Sequence, residues 1–269
     1  MTAQSLPLLA IEDLTVDFDG RRLLDGVNIC VEPGQRVGLV GESGSGKSLT
    51  SRVVMGVLPD SRRWKTNGSV RFKGTDLLAL PDREYRKVRG DRLAIVFQEP
   101  SAYLNPTVRV VDQVAEVLRI HRQPRDAKAR AVELLERVGL EMTPRMLAAY
   151  PFELSGGQKQ RAMLAMAMIC TPDLLIADEP TTALDVTVQA KVLRLMRDVT
   201  GESSAGVLFI THDLGVVAQF CEYVYVMQHG RIVEHAPVEQ IFQQPREEYT
   251  RVLLNSARKI AGMEERTWA

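Results

Sequence analysis

The chain has 269 residues, 45% of them hydrophobic and 25% charged, and its formal net charge is zero. It is long enough to bury the core of one large globular domain or two small ones, and its charge balance gives no indication of binding to nucleic acid or to an anionic membrane. No apolar run reaches the roughly 18 to 20 residues needed to cross a bilayer, and no signal peptide is expected at the N-terminus.

Short apolar segments bounded by turn residues predict strands along the chain. Residues 8–18 and 23–31 flank an Asp19-Gly20 turn and predict a first hairpin. Four further segments are short and almost wholly apolar, which is typical of strands buried on both faces: residues 36–40, 93–97, 174–177 and 207–210. Residues 223–227 and 231–235 flank His229-Gly230 and predict a second hairpin.

Helical periodicity lies between these strands, at residues 48–57, 111–119, 125–138, 157–169 and 186–200. Strands that alternate with helices predict an α/β fold with a largely parallel central sheet. Residues 100–154 contain no convincing strand and predict a helical insertion. The polar, helical segment from residue 237 onward predicts an appendage to the core.

Residues 41–48 read Gly-Glu-Ser-Gly-Ser-Gly-Lys-Ser and fit the pattern G-x-x-x-x-G-K-[ST], between a predicted strand and a predicted helix. Glycines allow the backbone N–H groups to turn inward, and the helix directs its positive end at the phosphates. Lys47 supplies a charge for the β- and γ-phosphates, and the Ser48 hydroxyl ligates Mg²⁺. The alternative is a flexible glycine-serine loop. The predicted nucleotide-binding residues here are Gly41, Ser43, Gly44, Ser45, Gly46, Lys47, Ser48 and Leu49.

Two carboxylates, Asp178 and Glu179, end the apolar segment that begins at Leu174. Asp178 can hold Mg²⁺ through water, and Glu179 can polarise the water that attacks the γ-phosphate. Alone, such a pair is more often a solvated loop or a helix cap. Beside a phosphate-binding loop, the pair indicates ATP hydrolysis.

The segment Leu-Ser-Gly-Gly-Gln at residues 154–158 opens a predicted helix. Ser155, Gly156 and Gly157 expose N–H donors and a hydroxyl at a helix start, which predicts a second anion site. The alternative is an ordinary helix cap made by Ser155. Two phosphate sites so far apart in one sequence make sense if they meet across a dimer.

In this order, these three segments resemble the nucleotide-binding subunits of ABC transporters, and the resemblance covers about residues 8–235. It implies a P-loop (RecA-like) ATPase core at residues 1–99 and 155–236 with an N-terminal antiparallel β region. It also implies an inserted helical subdomain at 100–154 and a C-terminal extension at 237–269. Such subunits bind ATP and Mg²⁺ between two copies or paralogues, and Gln158 belongs to the segment that meets the partner's nucleotide.

The resemblance also implies roles for isolated residues. Phe18 corresponds to the aromatic residue that stacks on adenine, although it could simply belong to the core. Gln98 resembles the glutamine that contacts Mg²⁺ and the attacking water. Residues Ala183-Leu184-Asp185 resemble the loop that crosses the dimer interface. His212 resembles the histidine that senses the γ-phosphate, with a structural hydrogen bond as the alternative.

Within this family the sequence is most similar to the subunits that power dipeptide, oligopeptide and nickel importers, on residues 41–46, 97–106 and 245–254. This implies an ATPase that drives import of a peptide or metal-chelate-type solute. It would lie at the cytoplasmic face of the membrane, beside a second ABC ATPase subunit and two permease subunits, and would serve an extracytoplasmic solute-binding protein indirectly. No nucleic-acid partner is expected. Many such subunits continue into a cysteine-containing extension that can hold an iron–sulfur cluster, and since no cysteine follows Cys221 we expect no cluster.

The same resemblance places residues 99–105 where a short permease helix docks. Tyr103 and Leu104 are apolar-bodied residues in a predicted loop between Pro100 and Pro106, and they predict part of a docking groove. The alternative is that both side chains pack beneath the loop.

Other functions share parts of this pattern. ABC-type ATPases also serve soluble machines, among them an assembly that assists cleavage of carbon–phosphorus bonds. Proteins that act on ribosomes or DNA use the same motifs. A nucleoside or small-molecule kinase would share the phosphate loop, but it needs a substrate pocket and a lid in place of residues 154–158.

Overall fold

A computed structural model of the chain describes residues 6–59, 61–181 and 185–260, and leaves the side chains of residues 186 and 257–260 undescribed. The chain divides into two compact units. The first spans Met1–Ala79 and Leu208–Ala269, and the second spans Leu80–Val207. The predicted division into an ATPase core, a helical subdomain and a C-terminal extension stays a prediction.

The elements alternate along the chain as the sequence predicts for an α/β protein. The strands are β1 (Leu9–Phe18), β2 (Arg21–Val31), β3 (Arg36–Val40), β4 (Trp64–Phe72), β5 (Thr75–Asp76), β6 (Leu93–Val96), β7 (Leu174–Asp178), β8 (Gly206–Thr211), β9 (Tyr223–Gln228) and β10 (Arg231–Pro237). The helices are α1 (Lys47–Val54), α2 (Asp82–Val88), α3 (Pro100–Tyr103), α4 (Val110–Arg122), α5 (Ala127–Arg137), α6 (Pro144–Ala148), α7 (Gly156–Met168), α8 (Val186–Ser203), α9 (Leu214–Phe220), α10 (Val238–Gln243) and α11 (Glu248–Ile260), with 3₁₀ turns at Leu77–Ala79 and Pro151–Glu153.

An antiparallel sheet in the first unit has the strand order β2-β1-β4-β5. Asp19 and Gly20 join β1 to β2 with φ angles of 52° and 78°, as the tight hairpin turn requires, so the first predicted hairpin is confirmed. Strand β4 is absent from the sequence prediction because Asn67-Gly68-Ser69 resembles a turn. In the structure Gly68 lies inside the strand, where a Cβ atom would come within 2.5 Å of the carbonyl oxygen of Asp13.

A second group of strands in this unit runs in the order β10-β9-β3-β8. Strand β3 pairs in parallel with β9, from Val37 opposite Tyr223 to Val40 opposite Val226. Strands β9 and β10 form the second predicted hairpin, and His229 and Gly230 turn the chain with φ angles of 49° and 79°. Fully buried apolar side chains fill β3, β8 and β9, as expected for strands covered on both faces.

The second unit contains the parallel pair β6 and β7 and the helices α2 to α8. Residues 100–154, all of which the structure describes, form helices and turns and no strand, which confirms the predicted helical insertion. The core of the second unit includes the apolar faces of α4, α5 and α7, where Val114, Leu118, Leu135 and Leu164 are buried. Helix α8 continues through Gly201 and ends at Ser203, and the next residue, Ser204, adopts a left-handed conformation.

Within the described part of the chain, no helix combines the length and the hydropathy that a membrane span requires.

Candidate functional site

The loop between β3 and α1 has the geometry of a phosphate cradle. Gly44 and Gly46 adopt positive φ angles of 81° and 111°. A Cβ atom at Gly46 would lie 2.6 Å from the Leu24 side chain, and one at Gly41 would lie 2.1 Å from the carbonyl oxygen of Met227. Any side chain at either position would collide with its surroundings, so glycine is required at both.

Lys47 lies at the first position of α1 and is 3% exposed. Its Nζ atom donates hydrogen bonds to the carbonyl oxygens of Gly41, at 2.7 Å, and Glu42, at 2.8 Å. Gly46, which precedes the helix, has no side chain to cap it. A held ammonium group beside the N-terminus of a helix favours a polyphosphate. Ser48 and Leu49 follow in the same turn and are half-buried, Ser45 is buried, and Ser43 is exposed.

Phe18 ends β1 and is half-buried, so it is not a core residue. Its ring packs at a tilt against Trp64, with 4.5 Å between the ring centroids. The guanidinium group of Arg63 lies 4.4 Å from the centroid of the Phe18 ring and pairs with Asp19. The adenine-stacking role of Phe18 stays a prediction, and Arg63 and Trp64 are neighbours that the sequence interpretation missed.

His212 follows β8 and is exposed. The residues on either side of it also form hydrogen bonds. The N–H of Asp213 donates to the hydroxyl of Thr211 at 3.1 Å, and the Asp213 carboxylate accepts from the N–H groups of Gly215 and Val216 to cap α9. The role of His212 as a phosphate sensor stays a prediction.

The second unit brings two of the predicted catalytic residues together. Strands β6 and β7 run parallel, with Val96 opposite Ala177. Gln98 and Glu179, two residues after this pair, therefore lie side by side just beyond the strand ends. The amide Nε2 of Gln98 donates to Oε2 of Glu179 at 3.0 Å. Asp178, which ends β7, is 6% exposed.

Glu179 has a left-handed backbone with φ = 48°. Few non-glycine residues adopt this conformation, and such strain is often found where a side chain must be aimed at a reaction.

The predicted second anion site opens α7. The Ser155 hydroxyl accepts the N–H of Gln158 at 3.3 Å, and the Gln158 side chain accepts the N–H of Ser155 at 2.8 Å. This reciprocal capping box is the ordinary helix cap considered above. It does not exclude the anion site, because a capped helix start still carries the positive end of the helix dipole.

A cavity of about 430 Å³ lies beside this helix start, lined by Ser155, Gly156, Gly157, Arg161, Asp185, Val188, Lys191 and Val192. It is lined both by Ser155–Gly157 and by Asp185, which the family resemblance assigns to a loop at the dimer interface. Asp185 itself caps α8 by accepting the N–H of Val188 at 2.9 Å. Ala183 and Leu184, the other residues of the predicted interface loop, lie outside the described residues.

One contact to the phosphate loop is missing from the sequence interpretation. The backbone N–H of Glu42 donates to the hydroxyl of Tyr249, 207 positions along the chain, at 3.0 Å. Residues 245–254 carry the likeness to importers, but nothing in that segment indicates which loop its tyrosine reaches.

Comparisons with known proteins agree with these features. The family model described as ABC transporter matches residues 24–182. The probable peptide ABC transporter ATP-binding protein y4tR of Sinorhizobium fredii is 48% identical over 266 residues, which cover 95% of this chain and 79% of that protein. The oligopeptide transport ATP-binding protein AppD of Bacillus subtilis is 45% identical over 261 residues, which cover 95% of this chain and 80% of that protein.

A solved dimer of the ATP-binding cassette MJ0796, in a post-hydrolysis state with ADP and Pi, has a similar fold. Its TM-score is 0.74 at 27% sequence identity, and the match covers 86% of this chain and 98% of that one. The predicted fold class, an ATPase core with an antiparallel β region and a helical insertion, is thereby confirmed. The family match, the curated relatives and this structure together show that the chain belongs to the ABC transporter family and is its ATP-binding cassette, an ATPase.

Proposed function

We propose that this chain hydrolyses ATP to power an importer of a peptide or metal-chelate-type solute. The phosphate loop carries the proposal, because Gly41 and Gly46 admit no side chain and Lys47 is held at the start of α1. The proposal that the solute is a peptide is supported by the relatives y4tR and AppD, whose names describe peptide and oligopeptide transport.

The first unit would hold the nucleotide. Lys47 and the N-terminus of α1 offer positive charge to the β- and γ-phosphates, and Phe18 offers a partly exposed ring to adenine. Three residues supply the kind of oxygen donor that Mg²⁺ prefers: Ser48 in the first unit, and Asp178 and Gln98 in the second. When bound, Mg²⁺ neutralises negative charge on the phosphates.

Hydrolysis would depend on Glu179. Its carboxylate is held by the amide of Gln98, and a carboxylate fixed in this way can accept a proton from an attacking water. His212 is exposed at the end of β8, where it can respond to the γ-phosphate.

A second subunit, identical or paralogous, would complete each ATP site. The cavity at the start of α7 joins Ser155, Gly156 and Gly157 to two cationic side chains, Arg161 and Lys191, and to one carboxylate, Asp185, so its charged side chains sum to a positive charge. Its charge suits the phosphates of a nucleotide held by the phosphate loop of the partner, and Gln158 fixes the helix start. The relative MJ0796 is described as a dimer.

The mechanical work would be passed to two permease subunits, with the chain attached peripherally at the cytoplasmic face of the membrane and a solute-binding protein served indirectly. Tyr103 is 50% exposed at the end of α3 and stacks on Phe97, with 3.8 Å between the ring centroids. Leu104 is 3% exposed. Of the two residues, only the tyrosine therefore offers surface to a docking helix. The leucine is buried, whereas the alternative interpretation had both side chains beneath the loop.

Uptake and co-purification test this function. Cells that lack the gene should take up labelled di- and oligopeptides, or chelated nickel, more slowly than wild-type cells. Wild-type protein should restore uptake, and the Lys47→Ala variant should not. The tagged chain should also co-purify with two membrane permeases, identified by mass spectrometry. Unchanged uptake of all these solutes, together with the absence of permeases, would contradict the proposal.

A further inference from the structure

The C-terminal helix α11 forms a hydrogen bond with the phosphate loop at the peptide group that joins Gly41 to Glu42. Its N–H donates to the Tyr249 hydroxyl at 3.0 Å. Its carbonyl oxygen, which belongs to Gly41, accepts from the ammonium of Lys47 at 2.7 Å. The tyrosine and the phosphate-binding lysine are therefore linked through one peptide plane.

The position of Tyr249 is fixed independently of the loop. The carboxylate of Glu234, a buried residue of β10, accepts the N–H groups of Arg246 and Glu247 at 2.8 and 3.1 Å, directly before α11 begins. The Arg251 guanidinium donates to the carbonyl oxygen of Arg246 at 2.8 Å. Tyr249 thus reaches the loop from a helix start that is anchored to the sheet.

A glycine-rich loop needs such support. Gly41 restricts its own backbone less than any other residue would, so the peptide that follows can rotate unless hydrogen bonds hold it. A peptide held at both ends presents its carbonyl oxygen, and with it the Lys47 ammonium, in one orientation. Hydrogen bonds arranged in a chain also polarise and strengthen one another.

We propose that Tyr249 is a positioning residue for nucleotide binding, and that its hydroxyl preorganises the Gly41–Glu42 peptide and through it Lys47. The inference rests on the proposed role of this loop as the ATP site. It gives the C-terminal segment a function in the affinity for ATP, apart from any contact with other subunits.

The test replaces Tyr249 with phenylalanine, which removes the hydroxyl and keeps the ring. Tyr225→Phe is a matched control, because the Tyr225 hydroxyl accepts the N–H of Cys30 at the same distance of 3.0 Å, in β2 rather than in the loop. The readouts are the Kd of a fluorescent ATP analogue and the KM and kcat for ATP, all with Mg²⁺ and the full chain. Thermal melting of both variants measures the general loss of stability.

Tyr249→Phe should raise Kd and KM about three- to tenfold, the equivalent of one hydrogen bond. Its kcat should stay within about twofold of wild type, since an interaction equally strong in the ground and transition states affects KM alone. Tyr225→Phe should bind ATP as wild type does, and Tyr249→Phe and Tyr225→Phe should lower the melting temperature by similar amounts.

Two results would overturn the inference while leaving the ATP site intact. One is an unchanged Kd for Tyr249→Phe under conditions in which Lys47→Ala has lost binding. The other is an equal loss of affinity in Tyr225→Phe, which would indicate general loosening. If wild-type protein binds no ATP, the proposed function fails and the inference fails with it.

Discussion

Glu179 combines a left-handed backbone with a hydrogen bond from Gln98. If its carboxylate accepts the proton of the attacking water, Glu179→Gln should bind ATP normally and hydrolyse it about 10²- to 10⁴-fold more slowly. The uncleaved γ-phosphate should also trap a dimer. Phosphate release and size-exclusion chromatography with ATP measure both effects.

Glu133→Gln is a suitable control, because it removes the same charge from an exposed position on α5. It should hydrolyse ATP at the wild-type rate. Wild-type turnover in Glu179→Gln would remove the glutamate from the reaction.

Substitutions of Ser155 test whether each ATP site is shared between two subunits. Ser155→Arg places a bulky cation at a helix start proposed for the partner's phosphate, while Lys47 and Ser48 are unchanged. Nucleotide binding to the isolated monomer should therefore persist, and ATP-dependent dimerisation and hydrolysis should fail. Ser155→Ala is the control for the lost capping bond, which should cost about 1 kcal/mol of stability. Equal loss of monomer binding in Ser155→Arg would show that Ser155 acts within its own subunit.

At the scale of secondary-structure elements, Glu234 joins β10 to the start of α11. Burial tends to raise the pKa of Glu234, but hydrogen bonds to its carboxylate, among them those from the N–H groups of Arg246 and Glu247, outweigh burial and lower the pKa below its ordinary value of 4.5. The stabilisation is therefore complete above the pKa of the unfolded chain and is lost as the pH falls through the lower pKa of the folded protein.

Glu234→Gln should accordingly lower the free energy of unfolding by about 1–3 kcal/mol near pH 7. The difference from wild type should shrink as the pH falls below 4. Urea denaturation across this range measures it. An equal difference at all pH values would show that the charge on Glu234 is unimportant.

Helix α3 presents Tyr103 at its end. Tyr103→Ser should leave ATP hydrolysis by the isolated subunit intact and weaken assembly with permeases, because it removes exposed aromatic surface. Co-purification yield and transport measure the effect. Leu104→Ser is expected to destabilise the fold instead, since this side chain is buried. A Tyr103→Ser variant that assembles and transports normally would remove α3 from the contact.

For the whole molecule, ATP should act as a stabilising ligand, since the unfolded chain cannot form the loop between β3 and α1. At a concentration 100 times Kd, ATP should add about 2.7 kcal/mol of stability. That corresponds to a rise in melting temperature of roughly 5–10 °C for a chain of this size. Lys47→Ala should abolish the rise, and AMP, which lacks the β- and γ-phosphates, should produce little of it. An equal shift with AMP would show that Lys47 and the loop do not select for those phosphates.

The local pattern of apolar and polar residues predicts many of the strands and helices. The buried strands β3, β7 and β8 are predicted to within a residue or two of their ends, because each is an uninterrupted apolar run bounded by polar residues or glycine. Strand β4 is missed because Asn67-Gly68-Ser69 resembles a turn, and the close contact of Gly68 with β1 exists only once the strands have paired. Helix α3 is missed because four residues are too few to show periodicity.

The sequence by itself determined the phosphate loop, the carboxylates Asp178 and Glu179 at the end of β7 and the glycines at the start of α7, because each motif is a local run whose spacing carries the chemistry. The tertiary structure decided which distant residues meet. It placed Gln98 against Glu179, buried Leu104 while exposing Tyr103, and brought Tyr249 to the loop at Glu42. Strand pairing and helix packing between remote segments fix such contacts, and periodicity records only which face of an element is buried, not its partner.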